Sequence, residues 1–288
     1  EIVTGDWSSD VCSSDLAVLI DKSAGMTSHD VVGQLRKRFG ERRIGHAGTL
    51  DPDATGVLVI GVGNATRLLR FATASEKTYE VEIVFGTETD TLDASGQMVA
   101  EHDMSFDYQQ IEAAAASLTG EIEQVPPMVS ARRVGGRRLY EIAREGLEVD
   151  RESRSVVVSG FEVEATDDPL IWRALVTCSA GTYVRTLGAD LGVALGGGAH
   201  IRNLRRTRSG HYSVEETGTI DEAPLLPVVE LTRGMEPISL SQDEISLVQN
   251  GGKLKVDRMQ GDGPWALLDA NRNLVAVHEI QDGVVVVG

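Results

Sequence analysis

The chain is short of several things, and each shortage excludes something. Two cysteines among 288 residues, Cys12 and Cys178, cannot build a disulfide framework, so a reducing cytoplasm is the expected compartment. No apolar run approaches the roughly 20 residues that cross a bilayer, and no secretory apolar region is read, so no membrane partner is expected. The six histidines show no paired spacing with cysteine or carboxylates, which leaves no metal signature. Positive charge is scarce as well. With 27 Lys and Arg against 44 Asp and Glu, the net charge is −17, which disfavours a polyanionic partner for the chain as a whole.

What is present is ordinary for a soluble globular protein: 41% hydrophobic and 25% charged residues, in a length that suits one large or two smaller domains. The scarce positive charge is also clustered. Arg36, Lys37, Arg38, Arg42 and Arg43 form one group, and Arg132, Arg133, Arg137 and Arg138 a second. Arg202, Arg205, Arg206 and Arg208 form a third, in a stretch without acids. Each alone reads as a solvated face. Local potential steers a ligand more than net charge does, so three clusters together favour a binding surface despite the acidic total, and a polyanion held there would show a steep salt dependence.

The densest information lies in residues 45–58, Gly-His-Ala-Gly-Thr-Leu-Asp-Pro-Asp-Ala-Thr-Gly-Val-Leu. Pro52 fixes its own φ and pushes Asp51 toward an extended conformation, while the glycines permit close backbone approach. An isolated Asp-Pro is usually just a turn. Here the loop presents one carboxylate at a defined angle with room beside it for a bulky ligand.

Other segments accompany it in order. They are Asp21-Lys22-Ser23-Ala24-Gly25-Met26-Thr27-Ser28, Lys77-Thr78-Tyr79, Gly86-Thr87-Glu88-Thr89-Asp90-Thr91, Gly181-Thr182-Tyr183-Val184-Arg185-Thr186, and Gly198-Ala199-His200 with Leu204-Arg205-Arg206. Together with the Asp51 loop, this set resembles the TruB family, the bacterial synthases that convert uridine to pseudouridine in the T loop of tRNA. The resemblance covers about residues 17–235, and Ser23 departs from the family's usual proline.

The resemblance implies an α+β fold: a mixed, largely antiparallel sheet of the pseudouridine synthase type with flanking helices. It further implies a thumb insertion at about 124–155 that grips the T loop, and a small C-terminal PUA-like β-barrel over 236–288. That C-terminal stretch is acidic, with eight Asp and Glu against four Lys and Arg. Residues 1–16 have no family counterpart and read like a translated sequencing adapter, so they are set aside.

Local patterns fill in the elements. Ala17–Ile20 is a short strand, and Ser28 caps a helix running to about Phe39 with Val31, Val32 and Leu35 on one face. Strands are expected at Val57–Val62, Tyr79–Phe85, Val156–Ala165 and Trp172–Cys178. Helices are expected at Ala65–Ala72, Ile111–Leu118, Leu139–Arg144, Tyr183–Leu195 and Leu240–Asn250. Short strands follow at Ala266–Asp269, Leu274–His278 and Val284–Val287. The glycines at 61 and 63 superficially suggest a dinucleotide loop, but they lack the third glycine and a βαβ repeat.

By resemblance, the activity is isomerisation of the uridine at tRNA position 55. The target nucleotide is flipped out, its glycosidic bond is broken, the base turns, and C5 joins C1′. No cofactor is needed, and the partner is the T-arm stem-loop of tRNA, bound by a monomer without an obligate protein partner. Asp51 is the catalytic carboxylate, preferred over Asp53, and Arg185 orients it by paired hydrogen bonds. Tyr79 stacks on the flipped uracil; Tyr183 and Leu204 line the pocket. His46 contacts the flipped nucleotide or fills its place, and Lys22 and Asp90 order the pocket or touch phosphate and ribose. Two other readings remain: a non-catalytic RNA-folding module using the same cleft, and a glycosidase, which would need a second opposed acid.

Overall fold

The computed structural model describes residues 15–130, 133–134, 136–138, 147, 149–255, 258–281 and 284–287. Strands run in chain order as β1 Leu16–Lys22, β2 Ile44–Ala47, β3 Thr55–Val62, β4 Lys77–Phe85, β5 Thr87–Thr89 and β6 Met98–Glu101. Next come β7 Gly120–Gln124, β8 Arg133–Val134, β9 Arg137–Arg138, β10 Arg154–Ala165, β11 Ile171–Cys178 and β12 Ala199–Ser209. The last are β13 Tyr212–Ser213, β14 Leu225–Pro227, β15 Glu236–Ser239, β16 Trp265–Leu268, β17 Leu274–Gln281 and β18 Val284–Val287. The helices are α1 Ser28–Phe39, α2 Leu69–Ala74, α3 Tyr108–Ser117, α4 Val184–Ala194 and α5 Gln242–Gln249.

A ten-stranded sheet runs β14-β1-β3-β12-β4-β11-β10-β7, with β2 added on β3 and β13 on β12. Every pairing in it is antiparallel except the short parallel contact of β3 with β12. The fold is therefore the mixed, largely antiparallel α+β type that was expected. Residues 236–287 add a separate four-stranded sheet, β15-β16-β17-β18, carrying α5.

The uninterrupted apolar run in β1 has a simple cause: both of its faces are covered. Val18 and Ile20 pack with Val31, Val32 and Leu35 of α1, while Ala17 and Leu19 face the α2 side. Strands buried on both faces lose the polar alternation of half-exposed ones. β4, by contrast, alternates, and buries Val81, Ile83 and Phe85 against α3, α4 and the inner residues of β10 and β11. The C-terminal sheet is tied to the main body: Val277 and Leu274 join the cluster around Leu19, and Arg70 pairs with Glu279 at 2.5 Å.

Some local expectations need correction. The cap of α1 is Thr27, which closes a capping box with Asp30; Ser28 is buried and its hydroxyl is used elsewhere. Ala65–Ala72 divides into a 3-10 turn over Gly63–Leu68 and the short α2. His46 is not in a loop but on β2, held because Ile44 and Ala47 register with Val62 and Val59. The true loop is residues 48–54. Leu16, set aside with the terminus, already registers with Val62 and Pro227. The helix expected at Leu139–Arg144 lies outside the described residues, as do residues 131, 132, 135, 145, 146 and 148 of the thumb and residues 1–14.

Candidate active site

The parallel meeting of β3 and β12 fixes the site. Arg206 registers with Gly56, whose φ of 101° and close approach leave no room for a side chain: a Cβ there would lie 2.2 Å from the Arg206 carbonyl oxygen. The Arg206 side chain then runs under the Asp51 loop, 1% exposed, donating from Nε to the Val57 carbonyl at 2.8 Å and from Nη2 to the Gly48 carbonyl at 3.0 Å. A buried guanidinium with carbonyl partners is a strut, since it is costly to bury otherwise.

The loop is pinned from its other side by residues of the first motif. Ser28 Oγ accepts from Leu50 N–H at 2.9 Å and donates to the Leu50 carbonyl at 3.2 Å. Lys22 is fully buried, and its Nζ donates to the carbonyls of Ser23, Met26 and Pro52 at 2.9, 2.7 and 2.9 Å. Burial lowers the Lys22 pKa, opposed by the nearby Asp53 and Asp51 carboxylates. Its ammonium is spent inside the fold, so Lys22 supports the loop rather than reaching phosphate or ribose.

Held this way, Asp51 lies at the wall of a cavity of about 280 Å³. Arg185, near the start of α4, meets it as a fork: Nε lies 2.9 Å from Oδ2 and Nη2 3.3 Å from Oδ1. The guanidinium also donates to the Thr91 carbonyl at 3.0 Å and the Val129 carbonyl at 2.8 Å, and Asp93 Oδ2 lies 3.7 Å from Nε. The Arg185 side chain is 4% exposed and that of Asp51 40%, so a buried cation orients a carboxylate that remains reachable.

Tyr79, Tyr183, Leu204, Lys77, Ser130, Thr182 and Arg206 share the cavity with this pair. Burial raises the Tyr79 pKa, countered by the charge and hydrogen bonding of Arg206, so the phenol is neutral at ordinary pH. Lys77 donates to the carbonyls of Ala72 and Thr73 at 3.3 and 2.6 Å and also to that of Ser75, closing the end of α2. Burial and the Arg206 charge bring its pKa down to about 8.

The other expected residues lie apart from this cavity. Asp53 is exposed on the loop and does not line it. His46 is half-buried on β2, its Nδ1 without a hydrogen-bond partner among the described residues, and burial lowers its pKa, aided by Arg206 and His29. Asp90 is exposed and its Oδ1 accepts from Gln97 N–H at 2.9 Å, shaping the turn after β5. The acid that reaches Arg185 from that turn is Asp93, held by Thr91 and Ser95. Asp93, Arg206, Ser28 and Lys77 were not singled out for the site. Arg206, Lys77 and Ser28 carried a signal, by sitting inside recognised motifs; Asp93 did not.

The basic clusters also need revision. Arg202 pairs with Glu82 at 2.6 Å, and Arg205 with both oxygens of Asp21 at 3.0 and 2.7 Å. With Arg206 buried and Arg202 and Arg205 paired, Arg208 is the fully exposed member of that group. The first cluster stays at the surface, although Arg36, Arg38 and Arg43 each also donate to a protein oxygen. Arg132 and the side chains of Arg133 and Arg138 lie outside the described residues.

A large mixed sheet with this architecture is found among solved structures in a chain of a Cbf5-Nop10-Gar1 complex. The TM-score is 0.72 at 24% identity, covering 92% of this chain and 78% of that one. That likeness defines the fold. Residues 36–184 match the TruB family pseudouridylate synthase N-terminal domain, and residues 185–226 the tRNA pseudouridylate synthase B C-terminal domain. A protein named tRNA pseudouridine synthase B from Thermobifida fusca (strain YX) is 42% identical over 286 residues, 94% of this chain and 96% of its own length. One of the same name from Mycobacterium sp. (strain KMS) is 50% identical over 208 residues, covering 71% of this chain and 70% of its own length. The chain belongs to the TruB family of pseudouridylate synthases.

Proposed function

We propose that the protein is a tRNA pseudouridine synthase, isomerising the uridine at position 55 in the T loop of tRNA to pseudouridine. The observation that carries the assignment of roles is the two-point grip of Arg185 on Asp51 at the cavity wall. The reaction breaks the N1–C1′ bond and makes a C5–C1′ bond. The proton lost from C5 is balanced by the one gained at N1, so no oxidant, reductant or cofactor is required.

Asp51 acts at C1′, either as nucleophile or by assisting departure of the base. Tyr79 offers its ring to the freed uracil, a stack worth ~1–3 kcal/mol per base, and Tyr183 and Leu204 complete the walls. A cavity of about 280 Å³ suits one extruded nucleoside rather than a duplex, and extrusion costs a few kcal/mol. Lys22 and Asp90 keep the frame in place, and His46 meets the RNA outside the pocket.

Residues 17–235 form the catalytic unit, with the thumb at about 124–155, and residues 236–288 extend the RNA contact. No helix of the described residues is long and apolar enough to cross a membrane; the protein acts on T-arm RNA in the cytoplasm as a monomer.

The test is tritium release from a T-arm stem-loop labelled at C5 of the target uridine. Wild type should release tritium into water, and Asp51→Asn should bind the RNA and release none. Tight binding without release by wild type would favour an RNA-folding module, and undiminished release by Asp51→Asn would remove Asp51 from the mechanism.

A further inference from the structure

The segment joining β7 to the thumb is built into the pocket. Gln124, 2% exposed, bonds the Tyr183 backbone in both directions: its Oε1 accepts from Tyr183 N–H at 2.7 Å and its Nε2 donates to the Tyr183 carbonyl at 3.1 Å. Five residues on, the Val129 carbonyl accepts from Arg185 Nη2 at 2.8 Å, and this same nitrogen contacts Asp51. The next residue, Ser130, lines the cavity at 5% exposure, and its hydroxyl has no hydrogen-bond partner among the described residues. A buried hydroxyl without a partner costs about 1–3 kcal/mol. Buried polar groups are otherwise almost always satisfied. The missing partner is therefore to be sought in whatever fills the cavity.

Chain connectivity says which end of that ligand it meets. Ser130 adjoins the carbonyl bound to the nitrogen that holds Asp51 Oδ1, so it belongs to the carboxylate end of the pocket. In the function proposed above, on which this inference rests, that end receives the sugar and the Tyr79 end receives the base. We infer that Ser130 is a substrate-contacting residue whose hydroxyl hydrogen-bonds the ribose 2′-hydroxyl of the flipped uridine. A serine hydroxyl both donates and accepts, as a ribose hydroxyl does, so the pair is chemically matched. The contact makes the pocket favour ribose over deoxyribose at the target nucleotide, since the 2′-hydroxyl is what separates RNA from DNA at a single site.

The experiment crosses two changes, one on each partner. Dissociation constants are measured in the Asp51→Asn background, where no turnover intervenes, for Ser130 and Ser130→Ala proteins. Each is tested against a T-arm stem-loop with either uridine or 2′-deoxyuridine at the target position. The expected result is a roughly 5- to 10-fold weakening by Ser130→Ala on the ribose substrate, in the range of one hydrogen bond, and less than about twofold on the deoxy substrate. Equal losses on both substrates, or no loss on either, would overturn the contact, because a merely structural serine cannot sense one substrate oxygen. Removing a buried, unpartnered hydroxyl should raise the melting temperature or leave it level, never lower it, and Ser130→Cys, of similar size but a weak donor, should resemble Ser130→Ala in binding. Tritium release by the Asp51-containing protein is assayed alongside. Its absence would count against the parent function, and its presence with flat dissociation constants against Ser130 alone.

Discussion

At the scale of single residues, Arg185 matters through its shape. A lysine would keep the charge at that position, but it could not meet both Asp51 oxygens while also holding the carbonyls of Thr91 and Val129. Arg185→Lys should therefore lower single-turnover tritium release by about 10²-fold or more, the scale of loss when a reacting group is misplaced by about an ångström, while RNA affinity changes little. Near-wild-type turnover would mean that Asp51 is positioned by its loop alone. That loop is well supported. Ser28, Lys22 and Arg206 pin residues 48, 50 and 52 from three directions. The Asp51–Arg185 pair, proposed as catalytic, was legible only through the family resemblance, because the two residues are far apart in the chain and neither type of residue is diagnostic alone. Asp93 stayed hidden behind Asp90: both lie in one acidic turn, and only the backbone course decides which reaches Arg185.

At the scale of elements, the sequence was most informative where burial imposed a pattern. The unbroken apolar run of β1 and the alternation of β4 followed directly from having two covered faces or one. Adjacent hydroxyls were not separable. Thr27 and Ser28 are both favoured caps by type, and the choice was made by Leu50, which takes the Ser28 hydroxyl. The third arginine cluster misled for the same reason: its acceptors, Asp21, Glu82 and the carbonyls of Gly48 and Val57, come from segments far away in the sequence.

The C-terminal sheet carries a titratable liability of its own. His278 on β17 is fully buried with neither ring nitrogen hydrogen-bonded among the described residues, and burial, with a smaller contribution from Lys253, holds its pKa below the ordinary 6.5. The unfolded chain then takes up the proton first as pH falls. The stability carried by the neutral ring is complete above 6.5 and is lost as pH drops through the lower folded value. Melting temperatures followed from about pH 7 to about pH 5 should fall less steeply in His278→Leu than in wild type. His46, depressed in the same direction, supplies part of the remaining slope. Parallel curves for the two proteins would show that His278 is not strained in the folded state.

At the scale of the whole molecule, the charge distribution sets a problem that the fold partly resolves. A net charge of −17 repels RNA, so affinity must come from local positive surface. Arg202 and Arg205 are engaged by Glu82 and Asp21, whereas Arg42 and Arg43 stay exposed beside α1. Arg42→Ala combined with Arg43→Ala should weaken T-arm binding at every sequence tested. It should also flatten the slope of log affinity against log salt by roughly 1 to 2, one contact contributing about 0.7 to 0.9. Arg205→Ala should leave that slope unchanged and lower stability instead. The reverse pattern would restore the third cluster as an RNA-binding face.

The account stands on Asp51 acting at the sugar of an extruded nucleotide. The most direct measurement is a crystal structure of Asp51→Asn bound to a T-arm stem-loop. It should place C1′ of the target nucleotide about 3–3.5 Å from the residue 51 side chain, the range of a near-attack geometry, with the uracil against Tyr79. A C1′ lying over Asp53 or Asp93, or a target base still stacked in the loop, would contradict it.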